Sequence, residues 1–427
     1  MEAYNILTIL VVLAALFGNI NHRYIRIPGS VGIMLLSLLA SLLIVAAGAV
    51  LPKFFIHINE VISNIDFHMV VMNVMLSFLL FAAGIQVDIK KMRRERAAII
   101  SFSTIGVLIS TLVVGFLLYA VTSAFGLSVN LLYCLLFGAL ISPTDPVAVV
   151  GILKKAKLPS SLETRISGES LFNDGSAVVL FITFFEVAQI GVQNTTIWDI
   201  LWLFVRETGG GLLLGFLLGY LGYYLLRSID NYVVEVMTTL ALVMGGYLLA
   251  ETILVSGPLA MVIAGLITGS KIMDEVMSDE TRDYVAKFWE MMDKLMNAIL
   301  FLLIGFAMLM IPFNLTLLLL GCITIIIVLF ARLLAVSLPI LLVRKKPFDK
   351  KAIPILTWGA LRGGISVALA LSVPKYMYGD MFLSITYIVV LFSIVVQGLT
   401  IGKLARKLQE AEQLPATGAE ASETQPD

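Results

Sequence analysis

Charged side chains are scarce in this chain of 427 residues: Asp, Glu, Lys and Arg make up 14% of it, against about 25% in soluble domains. Hydrophobic residues make up 59%, and the mean hydropathy is +0.99. Acidic and basic residues number 29 each, so the formal net charge of zero gives no support to nucleic-acid binding. The composition excludes a soluble globular domain and indicates a polytopic membrane protein.

Cysteine and histidine are also rare, with two and three copies. Cys134 and Cys322 fall within apolar segments, where a free thiol behaves as a small hydrophobic side chain. We therefore expect neither a disulfide nor a metal cluster. His22, His57 and His68 lie near the ends of apolar segments; one of them could sense pH, but exposed interfacial residues are the simpler interpretation.

Apolar stretches long enough to cross about 30 Å of hydrocarbon recur along the whole chain. We predict thirteen spans, and all of them should be helices. The first follows Glu2 rather than basic residues, so we interpret it as a retained helix and not as a signal peptide. The spans start near Tyr4, Val31, Met69, Ala98, Asn130, Phe172, Ile197, Tyr232, Ser256, Phe288, Phe313, Ala352 and Met381.

The loops between these spans differ in basic residues. Nearly all loop Lys and Arg follow odd-numbered spans, whereas the loops after even-numbered spans hold only Lys53 and Lys375. The positive-inside rule then predicts a multi-pass protein of the cell (inner) membrane with its N-terminus outside and its C-terminus in the cytoplasm. Residues 1–407 form the membrane unit, and the polar, acidic composition of 408–427 predicts a disordered cytoplasmic tail. The segment 283–294 has helical apolar spacing and predicts an amphipathic cytoplasmic start to the tenth span.

One carboxylate stands inside an otherwise apolar span. Asp174 follows Asn173 in the segment Gly168-Glu-Ser-Leu-Phe-Asn-Asp174, and apolar residues dominate after it. Inserting an ionised Asp at the centre of a bilayer costs roughly 2.5 to 3.5 kcal/mol. We therefore expect Asp174 to face a water-filled cavity and to bind a proton or a metal cation there. Partial desolvation should raise its affinity for protons, so that the two species compete.

Two prolines three residues apart, Pro143 and Pro146, interrupt the fifth span within Ser142-Pro-Thr-Asp-Pro-Val147. Each proline lacks a backbone donor and clashes with the preceding turn, so the helix should break there. Broken backbone is tolerated at membrane depth only where it is buried in protein or lines a cavity, and secondary transporters build binding sites from such breaks. Asp145 would lie at this opening beside the N-terminal end of a half-helix. Taken alone, the segment also fits an ordinary proline kink capped by Asp145.

The twelfth span contains a second interruption, in which three glycines surround an arginine. Interrupted segments in both halves of a chain are expected of an inverted-repeat transporter with its site near the midplane. The residues of the second interruption are Gly359, Arg362, Gly363 and Gly364.

Arg332 is another lone charge in an apolar run and needs a partner, for which Glu169 is the best candidate.

Three segments together carry a family resemblance: Ser142-Pro-Thr-Asp-Pro-Val147, Gly168-Glu-Ser-Leu-Phe-Asn-Asp174 and Gly359-Ala-Leu-Arg-Gly363. Their order and spacing resemble the signature segments of the monovalent cation:proton antiporters, in the NhaP and sodium–proton exchanger branch. The resemblance implies an all-α fold of about 13 transmembrane helices, with an inverted repeat and two unwound crossing helices. It also implies a core ion-translocation domain and a dimerisation domain that are interleaved in sequence, and a homodimer.

The resemblance assigns roles to individual residues. Asp174 matches the essential ion- and proton-binding carboxylate, and Asn173 its polar neighbour. Ser170, one turn earlier on the same helix face, matches a side-chain contact to the ion. Thr144 and Asp145 match positions of the first unwound helix, where Thr144 contributes oxygen near the ion. The alkali ion would thus bind at Asp174, Ser170 and Thr144 as a transported species, and no resident cofactor is implied.

Outside the ion site, Glu169 and Arg332 match a pair that joins the sixth and eleventh spans, and Arg362 matches the arginine of the second unwound helix. One position departs from the pattern. Many relatives carry an acidic residue on the third span where this chain has Ala82 and Ala83. That auxiliary contact is therefore missing or supplied from elsewhere.

The function expected from these residues is exchange of a monovalent cation for a proton by alternating access, in the service of pH and sodium homeostasis. Sodium is the expected cation, with lithium and potassium as alternatives. Because Asn173 cannot ionise where a second Asp could, the exchange should be one-for-one and electroneutral. Two alternatives are a channel of similar architecture and an intramembrane aspartyl protease with Asp145 and Asp174 as its dyad. The segment Phe-Asn-Asp-Gly around Asp174 does not fit the Gly-x-Gly-Asp pattern of such proteases, so we expect a transporter and no enzyme.

Overall fold

The computed structural model describes residues 3–27, 29–48, 69–146, 149–150, 160–191, 193, 195–310, 314–342 and 352–413. Within these ranges the chain is almost entirely helical, and the only β-type pairing is one isolated bridge. The α-helices of seven residues or more are α1 Ala3–Ile20, α2 Gly29–Gly48, α3 Leu76–Gln86, α4 Ile89–Ser101, α5 Val107–Ala124, α6 Leu131–Ile141, α7 Ser160–Ile190, α8 Ile197–Leu226, α9 Tyr232–Thr252, α10 Gly257–Ile267, α11 Asp279–Ala307, α12 Leu315–Leu342, α13 Ala352–Trp358, α14 Gly364–Leu371, α15 Gly379–Phe392 and α16 Gly398–Gln413.

Short π-helical segments extend or join several of these helices. Phe102–Gly106 connects α4 to α5, and Ser393–Gln397 connects α15 to α16, so each pair forms one continuous span. Each of the thirteen predicted spans contains at least one of these helices, and the fifth and twelfth are interrupted. By length and composition, seven helices of the described residues could cross a membrane, and four shorter ones are apolar. The all-helical polytopic fold predicted from the sequence is confirmed.

The fourth, sixth and tenth spans begin earlier than the hydropathy indicates, the tenth at Asp279 rather than near Phe288. The sixth span, expected from Phe172, is α7 and begins at Ser160, which places Asp174 near the middle of a helix of 31 residues. The fourth span, expected from Ala98, begins with α4 at Ile89, where the Asp88 carboxylate accepts a hydrogen bond from the Lys91 backbone N–H at 3.1 Å. Hydropathy marks where the apolar part of a helix begins, whereas Lys, Arg and Glu form helix readily outside it.

The C-terminal boundary also differs from the prediction. Helix α16 continues to Gln413, so residues 408–413 of the expected disordered tail are helical. Residues 414–427 lie outside the described part of the chain, as do Lys53, His57, His68 and the basic loop residues at 154–157 and 344–351. The basic residues between Lys90 and Arg96 are exposed along α4.

Close helix packing surrounds the centre of the molecule. A Cβ atom on Gly138 of α6 would lie 2.3 Å from the Thr111 carbonyl oxygen of α5, and one on Gly265 of α10 would lie 2.5 Å from the Phe81 carbonyl oxygen of α3. Glycine at such crossings lets two helix backbones approach closely within a membrane. Helix α7 contacts α4, α6, α8 and α10. These neighbours keep the middle of α7, and with it Asp174, away from lipid.

Candidate functional site

The break in the fifth span follows from its two prolines. Helix α6 ends at Ile141, residues 142–144 have no regular structure, and helix resumes at 149–150. In a continuous helix the backbone N–H of residue 146 would bond the Ser142 carbonyl, but Pro146 has no N–H. Arg362 replaces it, because its Nη1 donates to the Ser142 carbonyl and, at 3.0 Å, to the Pro143 carbonyl. The arginine side chain is 2% exposed, so it completes the broken backbone from within the protein.

The second interruption lies directly against the first. Helix α13 ends at Trp358 and α14 begins at Gly364. Between them, the Leu361 carbonyl accepts a hydrogen bond from the Asp145 backbone N–H at 2.8 Å, and this pairing is the isolated antiparallel bridge. A Cβ atom on Gly363 would lie 2.7 Å from the Asp145 Cβ, so the close approach requires glycine there. The two unwound segments therefore cross and are fixed to each other.

Asn173 and Ser170 hold Thr144 beside Asp174. Asn173 Nδ2 donates to Thr144 Oγ1 at 2.7 Å, and the Thr144 backbone N–H donates to Asn173 Oδ1 at 3.4 Å. The hydroxyls of Thr144 and Ser170 are hydrogen-bonded at 3.0 Å. All three side chains are buried. A mid-helix asparagine thus anchors an irregular loop segment that has few backbone hydrogen bonds of its own.

Asp174 lines a cavity of about 640 Å³. Its side chain is 9% exposed, and its Oδ1 has no hydrogen-bond partner among the described residues. Pro143, Thr144 and Asp145 line the same cavity, whereas Ser170 does not. A buried carboxylate oxygen without a donor is costly unless something binds it. A proton or a cation arriving through the cavity would supply that partner.

The cavity leads from Asp174 to the surface where α4 begins. Exposed residues that line its outer part include Gln86, Asp88 and Lys91. The backbone N–H of Lys91 donates to the Asp88 carboxylate and lowers the pKa of that group below its usual value, so Asp88 is ionised at neutral pH. The route is therefore open to solvent at one end, and acidic side chains lie along it.

Glu169 and Arg332 form a buried, bidentate ion pair. Arg332 Nη2 donates to Glu169 Oε2 at 3.0 Å, and Nη1 donates to Oε1. Arg332 Nε also donates to the Leu356 carbonyl at 3.2 Å, in the last turn of α13. Carbonyls at the end of a helix lack intrahelical donors, so one arginine both neutralises Glu169 and caps the helix that ends before the second interruption.

The structure brings most residues selected from the sequence into one region. The cavity is bordered by Thr144, Asp145 and Asp174. The Thr144 hydroxyl is held by hydrogen bonds to Asn173 and Ser170. Gly363 and Gly364 also line the cavity, whereas Gly359 does not. Gln86, Asp293 and Asn297 also line the cavity and were not predicted from the sequence. The spacing of Asp293 and Asn297, four residues apart on a helix, is the one signal that could have indicated a shared polar face.

Comparison with known proteins gives a consistent result. The model of the family described as sodium/hydrogen exchanger, transmembrane, matches residues 9–407. The chain is 46% identical over 410 residues to the Na(+)/H(+) antiporter NhaP of Pseudomonas aeruginosa, covering 95% of this chain and 96% of that protein. It is 34% identical over 355 residues to the Na(+)/H(+) antiporter NhaH of Halobacillus dabanensis, covering 80% and 84%. The structure of the sodium proton antiporter MjNhaP1 of Methanocaldococcus jannaschii at pH 8 matches with a TM-score of 0.76 at 20% identity, over 95% of this chain and 98% of that one.

Removing either partner of the buried ion pair should destabilise the protein. We expect Glu169→Ala and Arg332→Ala each to lower the free energy of unfolding by about 3 to 5 kcal/mol, because each leaves one buried charge unpaired. The double variant should lose less than the sum of the two. Thermal melting in detergent measures this, and Lys287→Ala, which breaks an exposed pair with Asp283, is the control that should melt like the wild type. Wild-type melting of both single variants would contradict the structural role of the pair.

Proposed function

The chain belongs to the sodium/hydrogen exchanger family, and on this premise we propose that it exchanges one monovalent cation for one proton at Asp174. Members of this family are membrane transporters, so the chain is a secondary transporter and the protease alternative is excluded. The observation that carries the proposal is the Asp174 carboxylate itself, which is buried, faces the cavity and has an oxygen without a donor in the described residues. The names of the relatives make sodium the expected cation, with lithium and potassium as alternatives.

Oxygen atoms around Asp174 suit an alkali ion. Such ions are hard cations that prefer carboxylate, hydroxyl, carbonyl and water oxygens. Asp174 and Thr144 both line the cavity, and the Ser170 hydroxyl lies 3.0 Å from the Thr144 hydroxyl. Asn173 donates to the Thr144 hydroxyl and thereby keeps its oxygen beside Asp174. No resident cofactor takes part in the proposed exchange.

Charge balance around the site supports one-for-one exchange. Glu169 and Arg332 neutralise each other. Arg362 donates to the Pro143 carbonyl, two residues before Asp145, and we infer that its positive charge offsets the negative charge of Asp145. Asn173 cannot ionise, which leaves Asp174 as the unbalanced group. One proton or one monovalent cation neutralises it, and the two compete because they bind the same oxygens.

Neutralisation explains why exchange is obligatory. Moving a net charge through a low-dielectric barrier is expensive, whereas a neutral site crosses cheaply. Alternating access therefore proceeds when Asp174 holds either species and stalls when it is empty. A channel would instead conduct without this coupling. Saturable cation flux that requires a counter-flow of protons separates the two.

We further propose a homodimer in the cell membrane, with the N-terminus outside, the C-terminus in the cytoplasm and a role in pH and sodium homeostasis. The exposed basic residues along α4, next to the open end of the cavity, support a cytoplasmic location for that end. In this orientation the cavity is open to the cytoplasm. Core and dimerisation domains would share residues 1–407.

Asp174→Asn should abolish exchange, because an amide binds neither a proton nor an alkali ion as a carboxylate does. Cation-driven proton flux into proteoliposomes, followed with a pH-sensitive dye, should fall to the level of empty vesicles. Asp283→Asn, which removes an exposed carboxylate from the start of α11, is the matched control and should transport like the wild type. Proton flux retained by Asp174→Asn would contradict the assignment of Asp174 as the residue that binds the cation and the proton.

Membrane potential should not change the transport rate. Moving one net charge across the membrane is worth about 2.3 kcal/mol per 100 mV, so an electrogenic cycle would show a clear voltage dependence. We expect equal initial rates in proteoliposomes held at different potentials with a fixed cation gradient. A rate that varies with the imposed potential would argue against one-for-one exchange.

A further inference from the structure

Another carboxylate lies in the wall of the cavity that leads to Asp174, on a helix that carries none of Thr144, Asp145 and Asp174. Asp293 belongs to α11 and lines the cavity together with Asn297, one turn further along. Asn297 Nδ2 donates to Asp293 Oδ1 and to the Asp293 backbone carbonyl, both at 3.0 Å. Gln86, at the end of α3, lines the same cavity. Asn297 thus holds the Asp293 carboxylate in position.

Among the described residues that line the cavity, the basic ones are Lys91 and Lys294, and other carboxylates already engage both. Lys294 Nζ lies 2.5 Å from Glu290 Oε1, and Lys91 Nζ lies 3.5 Å from Asp88 Oδ2. Asp293 itself makes no salt bridge in the part of the chain that the structure describes. Within that part, the negative charge of Asp293 is therefore not cancelled by a lysine of the cavity wall.

The hydrogen bonds of Asp293 leave suitable oxygens free. A carboxylate only accepts hydrogen bonds, so Asn297 contacts it through its NH₂ group. The amide oxygens of Asn297 and Gln86, together with the second carboxylate oxygen of Asp293, then remain available to a ligand in the cavity. Carboxylate and amide oxygens are ligands that hard cations prefer. A site of this kind holds a cation with part of its hydration shell, since water fills the remaining positions.

We propose that Asp293, Gln86 and Asn297 form an outer binding site at which the transported monovalent cation waits before it reaches Asp174. The inference rests on the proposed function, because the ligand is the exchanged cation. The role of the site is to concentrate the cation at the mouth of the pathway, so it should affect apparent affinity more than the maximal rate.

Asp293→Asn tests this proposal, because it removes the charge and keeps the size. We expect the KM for sodium in proteoliposomes at low ionic strength to rise about fivefold or more, the factor for one unit charge about 4 Å from a cation in water. The maximal rate should stay within about twofold of the wild type. Glu280→Gln, which removes an exposed carboxylate from the first turn of α11 that does not line the cavity, is the control and should leave KM unchanged.

An unchanged KM in Asp293→Asn, or a lower maximal rate at unchanged KM, would overturn the outer site and assign Asp293 a structural role. Absence of sodium-driven proton flux in the wild type would instead contradict the proposed function. A second measurement does not depend on transport. In the Asp174→Asn background, sodium chloride should still raise the melting temperature relative to choline chloride, and adding Asp293→Asn should remove that shift; a shift that persists would also overturn the outer site.

Discussion

The structure depends on one constraint: a polar backbone group inside a membrane must find its partner within the protein. Pro146 removes the donor for the Ser142 carbonyl, and Arg362 supplies it from the other half of the chain. The Asp145 N–H is satisfied by Leu361, so each interruption provides what the other lacks. Two helices can thus remain unwound at the centre of the protein, and the segment between Pro143 and Pro146 is free to present Thr144 and Asp145 to the cavity.

Exchange follows from how charge is distributed around this crossing. Arg332 neutralises Glu169 and caps α13, and Arg362 lies next to the segment with Asp145. These charges stabilise the architecture and have no need of an external ligand. Asp174 differs because one of its oxygens is buried beside the cavity without a donor among the described residues. The proposed mechanism requires only this contrast between the neutral Glu169–Arg332 pair and the unpartnered oxygen of Asp174.

The sequence predicted the parts of the fold that depend on local chemistry. Pro143 and Pro146 indicated the first break, and the glycines around Arg362 indicated the second. Hydropathy gave the spans but not their beginnings, since the charged first turns of α4 and α7 are helical outside the apolar region. Among the contacts between distant residues described above, the Glu169–Arg332 pair was predicted, because a lone charge in an apolar run needs a partner. The bond from Asn173 to Thr144 and the meeting of Gln86 and Asp293 at one cavity were not, because no local period in the sequence reports such pairs.

The proposed exchange requires a proton and a cation to compete for one carboxylate. Its most direct test is to measure proton release when sodium binds to the purified protein in weakly buffered detergent solution near the midpoint of protonation. We expect proton release to saturate with sodium and to approach one proton for each protein molecule that was protonated beforehand. In Asp174→Asn this proton release should disappear. Sodium binding without proton release, or equal release from Asp174→Asn, would contradict this competition.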